Sequence, residues 1–420
     1  MTEALPPPPK KDPQRRTVGP TRPPEARSRA ALGLTVAAAE GRFELQRCNA
    51  CGAWQYPPRD ACARCLSPDL SWDPLSGAGQ VLAETKVRTS PKLFFRERVP
   101  WRMGTVRLDA LGGAPVVLAH LHGEVARHGR VRLELRLDRA GQGVMVALPE
   151  APGPNWKDDP LMRDLSASPK HRRVLMTDAR AETAPALAEA LFEAGAALVF
   201  AGEAETWRSW PGRARLEALG VEILPLDVTD TASVKKLAGE IGGKVDILVN
   251  NGGFMRPGGV LDRSDTGFAR DEMDVNCLGL MRLAQAFGPG MCGRTADGVN
   301  SAAAWVNIFS VGSLATLPGY GAFAASQAAA RAVSLSMRGE VRSAGLRVMN
   351  VYTGPTDTSW FQPVPPPKVT ATALARAVVD GLERGLEDVW CGDVARDMAE
   401  RFRRDPKVLE RELTMGEEGP

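Results

Sequence analysis

Between residues 80 and 150 the apolar positions fall in short β-like runs, QVLAETKV, RMGTVRLDA, APVVLAHLHG, RVRLELRLDR and QGVMVALPE, with Gly, Pro and charged turns between them. Short strands at this regular spacing predict a small β-barrel or sandwich. From residue 172 the pattern changes. VLMTDA, ALVFAG, VEILPLDV, VDILVNN, AWVNIFSV and LRVMNVY are continuous apolar runs, separated by helical stretches such as ALAEALFEAG. Strands that are apolar on both faces and alternate with helices predict a parallel sheet covered on both sides, an α/β Rossmann domain.

These patterns divide the chain. Residues 1–28, rich in Pro and Arg, are expected to be a disordered tail, or an arm that orders on a partner. Residues 29–150 form the β-rich block, and 151–171 (APGPNWKDDPLMRDLSASPKH) read as a linker without a period. The Rossmann domain runs over 172–405, and 406–420 is expected to be a charged tail.

Composition narrows the function. Fifty-three basic residues against 50 acidic ones give a net charge of +3, which offers no electrostatic case for nucleic acid or an anionic membrane. The N-terminus MTEALPPPPKKDPQRR has no apolar core for a signal peptide, and no apolar run is long enough to span a bilayer. A cytoplasmic protein is expected, in a setting where its seven cysteines should not form disulfides.

Four of the cysteines form two C-x-x-C knuckles, Cys48–Cys51 and Cys62–Cys65, with ten residues between them. Two knuckles can turn four thiolates toward one ion, the arrangement of a structural zinc site. Gly52 suits the tight turn after the first knuckle. With all four positions filled, no open coordination site is left for metal catalysis. Four ordinary buried or redox cysteines are the alternative. Cys277, Cys292 and Cys391 are scattered in the Rossmann half and read as core or surface residues.

The stretch FELQRCNACGAWQYPPRDACARC, with Tyr56-Pro57-Pro58-Arg59 before the second knuckle and the SGAGQV strand start beyond it, resembles the acyl-CoA-associated proteins built from a rubredoxin-like zinc ribbon and an OB-fold barrel. The resemblance implies a companion without catalysis of its own. Such proteins accompany thiolases, hydratases or aldolases and help form the acyl-CoA channel at the interface. An OB barrel could also take a nucleic-acid strand. The few aromatics here (Phe94, Phe95, Trp101) and the near-neutral charge argue against that.

The second half resembles the classical short-chain dehydrogenases. Asp227 closes a strand where that family contacts adenine, and Asn250-Asn251-Gly252-Gly253 stands where it has N-N-A-G. Asn276 and Ser310 take the places of the proton-relay Asn and substrate-orienting Ser, and Thr353–Thr358 matches the family's P-G-x-x-x-T region. The catalytic Tyr and Lys of Y-x-x-x-K, thirteen residues after the Ser, are replaced by Phe323 and Gln327. Phe has no proton to transfer and Gln carries no charge, so acid–base catalysis is lost. Tyr320 is an alternative proton donor. The cofactor loop T-G-x-x-x-G-x-G departs as well: after Thr177 its three glycine positions hold Asp178, Glu182 and Ala184. Side chains there obstruct the approach of backbone to a pyrophosphate, and two of them are carboxylates. Arg180 could offset part of that charge, or the two acids could simply cap the following helix.

The resemblance therefore implies structural zinc held by Cys48, Cys51, Cys62 and Cys65, with NAD(P) not expected to bind. Asp227 and Asn250 remain as residual nucleotide contacts. The expected function is a non-catalytic accessory subunit of an acyl-CoA-processing complex in β-oxidation-type degradation. The partner would be a thiolase-like or other acyl-CoA enzyme. The barrel would contact acyl-CoA, and the dehydrogenase-like domain would form a homo-oligomer or heterodimer. The alternative is an active NAD(P)-dependent 3-hydroxyacyl-CoA dehydrogenase with a non-standard site.

Overall fold

The computed structural model describes residues 3–8, 21–25, 28–110, 113–296, 301–316 and 318–415. Most of the N-terminal tail and the end of the C-terminal one lie outside them. The chain divides into two compact units, the first built mainly from residues 20–167 and the second from nearly everything beyond 168.

The first unit opens with helix α1 (Leu32–Ala39) and a three-stranded antiparallel sheet, β1 (Glu44–Cys48), β2 (Trp54–Gln55) and β3 (Leu70–Pro74), in the order β2-β1-β3. The five short runs form a closed barrel of β4 (Ala78–Val87), β5 (Trp101–Leu108), β6 (Val116–Leu121), β7 (Arg130–Leu137) and β8 (Gly143–Pro149), in the order β4-β5-β6-β8-β7. A short helix α2 (Leu93–Arg96) joins β4 to β5. Burial alternates along β6, where Val117, Ala119 and Leu121 are buried while Val116 and Leu118 are exposed. Leu34, Ala37 and Ala38 of α1 join the barrel core. Gly33 lets that helix approach β3, because a Cβ there would stand 2.0 Å from the Trp72 ring.

The segment 151–171 differs from the linker reading. It holds a 3-10 turn at Trp156–Asp158 and helix α3 (Pro160–Asp164), whose N-cap Asp159 accepts the Leu161 N–H at 2.9 Å. Met162 and Leu165 bury against Val146 and Leu148 of β8. Trp156 and Leu161 join that patch, and apolar residues so few and so spread along the segment are too sparse to show a period.

The second unit is a seven-stranded, all-parallel sheet in the order β11-β10-β9-β12-β13-β14-β15. Its strands are β9 (Arg173–Met176), β10 (Leu198–Glu203), β11 (Glu222–Pro225), β12 (Ile247–Asn250), β13 (Ala304–Ser310), β14 (Arg347–Thr353) and β15 (Asp388–Cys391). Helices α4 (Ala184–Glu193), α5 (Arg213–Ala218), α6 (Thr231–Ile241), α7 (Gly267–Met273), α8 (Gly279–Gly293), α9 (Gly321–Val341), α10 (Ala371–Arg384) and α11 (Asp393–Arg404) complete the α/β alternation. Val174, Leu175 and Met176 of β9 are all fully buried, as a strand covered on both faces requires. Strand order reverses between β9 and β12, which opens a crevice at the carboxyl ends of these strands.

The C-terminal stretch is helical rather than a charged tail up to residue 415. Helix α12 (Pro406–Met415) starts where the Asp405 carboxylate accepts the Lys407 and Val408 N–H groups, at 2.9 and 3.1 Å. Its one fully buried side chain, Leu409, anchors it beside Ala395 and Met398 of α11. Among the described residues no helix is long and apolar enough to cross a membrane.

Candidate functional site

The four knuckle cysteines converge. Cys48 Sγ lies 3.6 Å from Cys65 Sγ, and Cys51 Sγ 3.7 Å from Cys62 Sγ. All four sulfurs lie within 4.8 Å of one another. Metal–sulfur bonds of about 2.3 Å in a tetrahedron give sulfur–sulfur edges of about 3.8 Å, so the donor set fits zinc. The knuckles repeat one backbone device. Gly52 N–H donates to Cys48 O at 2.8 Å with φ +70°, and Leu66 N–H donates to Cys62 O at 2.9 Å with φ +62°. N–H groups also point at sulfur: Gln55 Nε2 and the Arg64 backbone N each lie 3.3 Å from Cys62 Sγ. Chiefly through the backbone N–H of Cys65, the Cys62 thiol is held down to about 6, which favours the thiolate a metal needs.

In the second unit a cleft of about 940 Å³ opens where β9, β12, β13 and β14 end. Thr177, Asp178, Glu182, Asp227, Ser310, Phe323 and Gln327 line it, whereas Ala184, Asn250 and Asn276 do not. The Asn250-Asn251 segment sews the first loop in place. Thr177 Oγ1 donates to Asn250 Oδ1 at 3.1 Å and accepts the Asn251 N–H at 3.2 Å. Asn251 makes a two-point contact with the Asp178 backbone, at 3.0 Å to its N and 2.7 Å to its O. One oxygen of Asp227 closes a local turn onto Thr229 N and Oγ1, at 2.8 and 2.6 Å.

The two loop acids do not cap α4. Asp178 Oδ1 accepts the Arg180 N–H at 2.8 Å, a turn two residues long, and burial pushes its carboxyl above the usual carboxylate range. Glu182 instead crosses the cleft. The Ser359 N–H donates to its two oxygens, at 3.0 and 3.1 Å, and the Ser359 hydroxyl donates to Oε1 in a short contact. The N-cap of α4 is Thr183, which makes no side-chain cap bond. Arg180 pairs with Glu205 at 2.5 Å, and its charge opposes the effect of burial on Asp178. Ala184 is fully buried at the start of α4.

At the positions of acid–base chemistry the side chains serve structure. Phe323 presents a ring to the cleft. Gln327 Oε1 accepts the Ser310 backbone N–H at 3.0 Å, and Ser310 Oγ accepts the Gly312 N–H at 3.1 Å. Asn276 sits in a π-helical turn, Asp274–Leu278, and is buried. Its Oδ1 accepts the Phe254 N–H at 2.9 Å, while Nδ2 donates to Phe254 O and Ser326 Oγ, both at 2.8 Å. Tyr320 is not among the residues lining the cleft.

Motif reading missed two features. One is Ser359, whose part depends on a partner 177 residues away. The other is Arg256 at the cleft mouth, whose guanidinium lies 5.5, 5.7 and 6.0 Å from the ring centroids of Phe254, Phe268 and Trp360. The isolated Phe and Trp positions carry no signal in one sequence.

Comparison with known proteins agrees with this architecture. Residues 35–71 match the ChsH2 rubredoxin-like zinc ribbon family, and 72–139 match the ChsH2 C-terminal OB-fold family. Residues 183–386 match the family described as enoyl-(acyl carrier protein) reductase. The short-chain dehydrogenase cctT of Talaromyces islandicus is 31% identical over 148 residues, covering 34% of this chain and 50% of the relative. The oxidoreductase UcpA of Escherichia coli K12 is 32% identical over 184 residues, covering 41% of this chain and 66% of the relative. The chain spans about half the length of the first curated relatives it matches. A short chain dehydrogenase from Burkholderia cenocepacia, solved in complex with NADP, superposes with TM-score 0.51 at 29% identity, covering 58% of this chain and 97% of that one. The chain therefore joins a ChsH2-type zinc ribbon and OB-fold to a domain of the short-chain dehydrogenase type.

Proposed function

We propose that this protein is a non-catalytic accessory subunit of an acyl-CoA-processing complex, with a thiolase-like enzyme as partner and a dehydrogenase-type domain that has lost its chemistry. The observation that carries this reading is the pair Phe323 and Gln327 at the cleft, where the family has its Tyr and Lys. A carbonyl reduced by hydride needs a proton at its oxygen, and Phe323 offers none. Gln327 holds the Ser310 backbone instead of lowering a neighbour's pKa. The cofactor loop supports the same reading, since Glu182 bridges to Ser359 where a pyrophosphate would pass.

In this reading zinc is structural, held by Cys48, Cys51, Cys62 and Cys65, and NAD(P) is not a cofactor. The ribbon and barrel face the partner enzyme and its acyl-CoA, and the protein works in the cytoplasm. The dehydrogenase-type domain serves in oligomerisation, which is supported by apolar side chains left exposed at Leu278, Met281 and Leu335.

The test is to co-express the chain with a thiolase-like enzyme encoded beside it, and to titrate it with NADH and NADPH by calorimetry. Co-elution, acyl-CoA turnover dependent on this chain and no saturable nucleotide heat are expected. Separate elution with a fully active thiolase overturns the partnership. Saturable micromolar binding overturns the loss of the cofactor. The second reading, a 3-hydroxyacyl-CoA dehydrogenase with a non-standard site, is favoured by the 940 Å³ cleft and predicts that outcome.

A further inference from the structure

Glu182 stands at the second of the three loop positions where a dinucleotide-binding loop has glycine, and its side chain does more than fill space. It spans the cleft and meets the turn after β14 with both oxygens: one on the Ser359 hydroxyl, both on the Ser359 N–H. Trp360, the next residue, packs edge-on to Phe254 with ring centroids 5.8 Å apart. The Ser359–Phe361 turn is therefore held to the cofactor loop on one side and to the segment after β12 on the other. Deleting a glycine would have removed affinity for a phosphate. Placing a carboxylate that reaches the opposite wall also supplies an anion of the chain's own along the path a phosphate takes.

We propose that Glu182 is a strap across the cleft: its carboxylate holds the Ser359–Phe361 turn and excludes phosphorylated ligands. This deepens the reading of the domain as closed to NAD(P), and rests on it only for the kind of ligand excluded. The strap lies at the surface, where water competes for the same groups, so the contact is moderate and can open. A ligand reaching the cleft must break it.

The experiment is hydrogen–deuterium exchange on the full chain, comparing the parent with Glu182→Ala and Glu182→Gln, with and without millimolar inorganic pyrophosphate. In Glu182→Ala the Ser359 amide is expected to exchange about three- to tenfold faster, as for loss of a partly exposed charged hydrogen bond. Glu182→Gln, which keeps an acceptor but not the charge, should fall between. Amides of β13 should stay as protected as in the parent, reporting an intact fold. Pyrophosphate should slow exchange along the cofactor loop in Glu182→Ala and leave the parent unchanged. Equal Ser359 exchange in the parent and Glu182→Ala, or equal pyrophosphate protection in both, overturns the strap. Either result removes that one support from the proposed function, which still stands on Phe323 and Gln327 and fails instead if the parent binds NADPH saturably.

Discussion

Gln327 Oε1 accepts the backbone N–H of Ser310 at 3.0 Å, so the residue in the lysine's place holds the end of β13. The variant Phe323→Tyr/Gln327→Lys restores both chemical groups of the family's motif but removes this acceptor. It is expected to show no NADPH-dependent reduction of a 3-ketoacyl-CoA, because Glu182 still crosses the cleft. Its thermal midpoint should fall, since the Ser310 N–H is partly buried and its loss of a partner costs about 1 kcal/mol. Turnover of about 1 s⁻¹, within the usual range of enzymes, would refute this. A coupled absorbance assay and a melting curve decide it.

Asn276 ties Phe254, after β12, to Ser326 on α9. Removing its side chain in Asn276→Ala leaves the Phe254 N–H and O and the Ser326 hydroxyl short of partners. The cost expected is about 2–3 kcal/mol, read as a lower denaturant midpoint for the Rossmann unit. A change within experimental error would mean that water replaces the amide at no cost.

Asp178 sets a pH dependence. Burial raises its carboxyl above the usual range in the folded protein, so the folded state binds its proton more tightly than the unfolded state does. That contribution to stability is complete below the unfolded value of about 3.9 and is lost as pH rises through the folded one. Asp178→Asn keeps an acceptor for the Arg180 N–H and does not titrate. Its stability relative to the parent should therefore rise between about pH 3 and pH 7. A flat difference across that interval, measured by urea unfolding, would contradict the assignment.

The cysteine site should hold one tightly bound zinc per chain, since structural sites in zinc-finger peptides bind with about 10–16 kcal/mol. Cys62→Ser should lose the metal. It should also expose the ribbon strands β1 to β3 to protease, while the Rossmann unit melts as before. Elemental analysis showing full zinc occupancy in that variant would exclude Cys62 as a ligand.

The sequence by itself determined the elements and the chemistry types. Short β-like runs at regular spacing, with turn residues between them, were enough for the barrel strands. Continuous apolar runs were enough for the parallel sheet. The C-x-x-C spacing singled out the zinc ligands, because a knuckle is a local turn. What lacked a local signature was not legible. Leu66 takes a left-handed φ of 62° that is expected of glycine, as at Gly52. Met162 and Leu165 fold onto β8 in a small apolar cluster with Trp156 and Leu161. Motif alignment identified Asp178 and Glu182 as losses, yet could not separate helix capping from anything else. Only the tertiary structure decided that Asp178 turns back on its own loop while Glu182 reaches Ser359. The reason is physical: a side chain's rotamer and partner are set by whatever the fold brings opposite it, and the wall opposite Glu182 comes from a strand end 177 residues further along the chain.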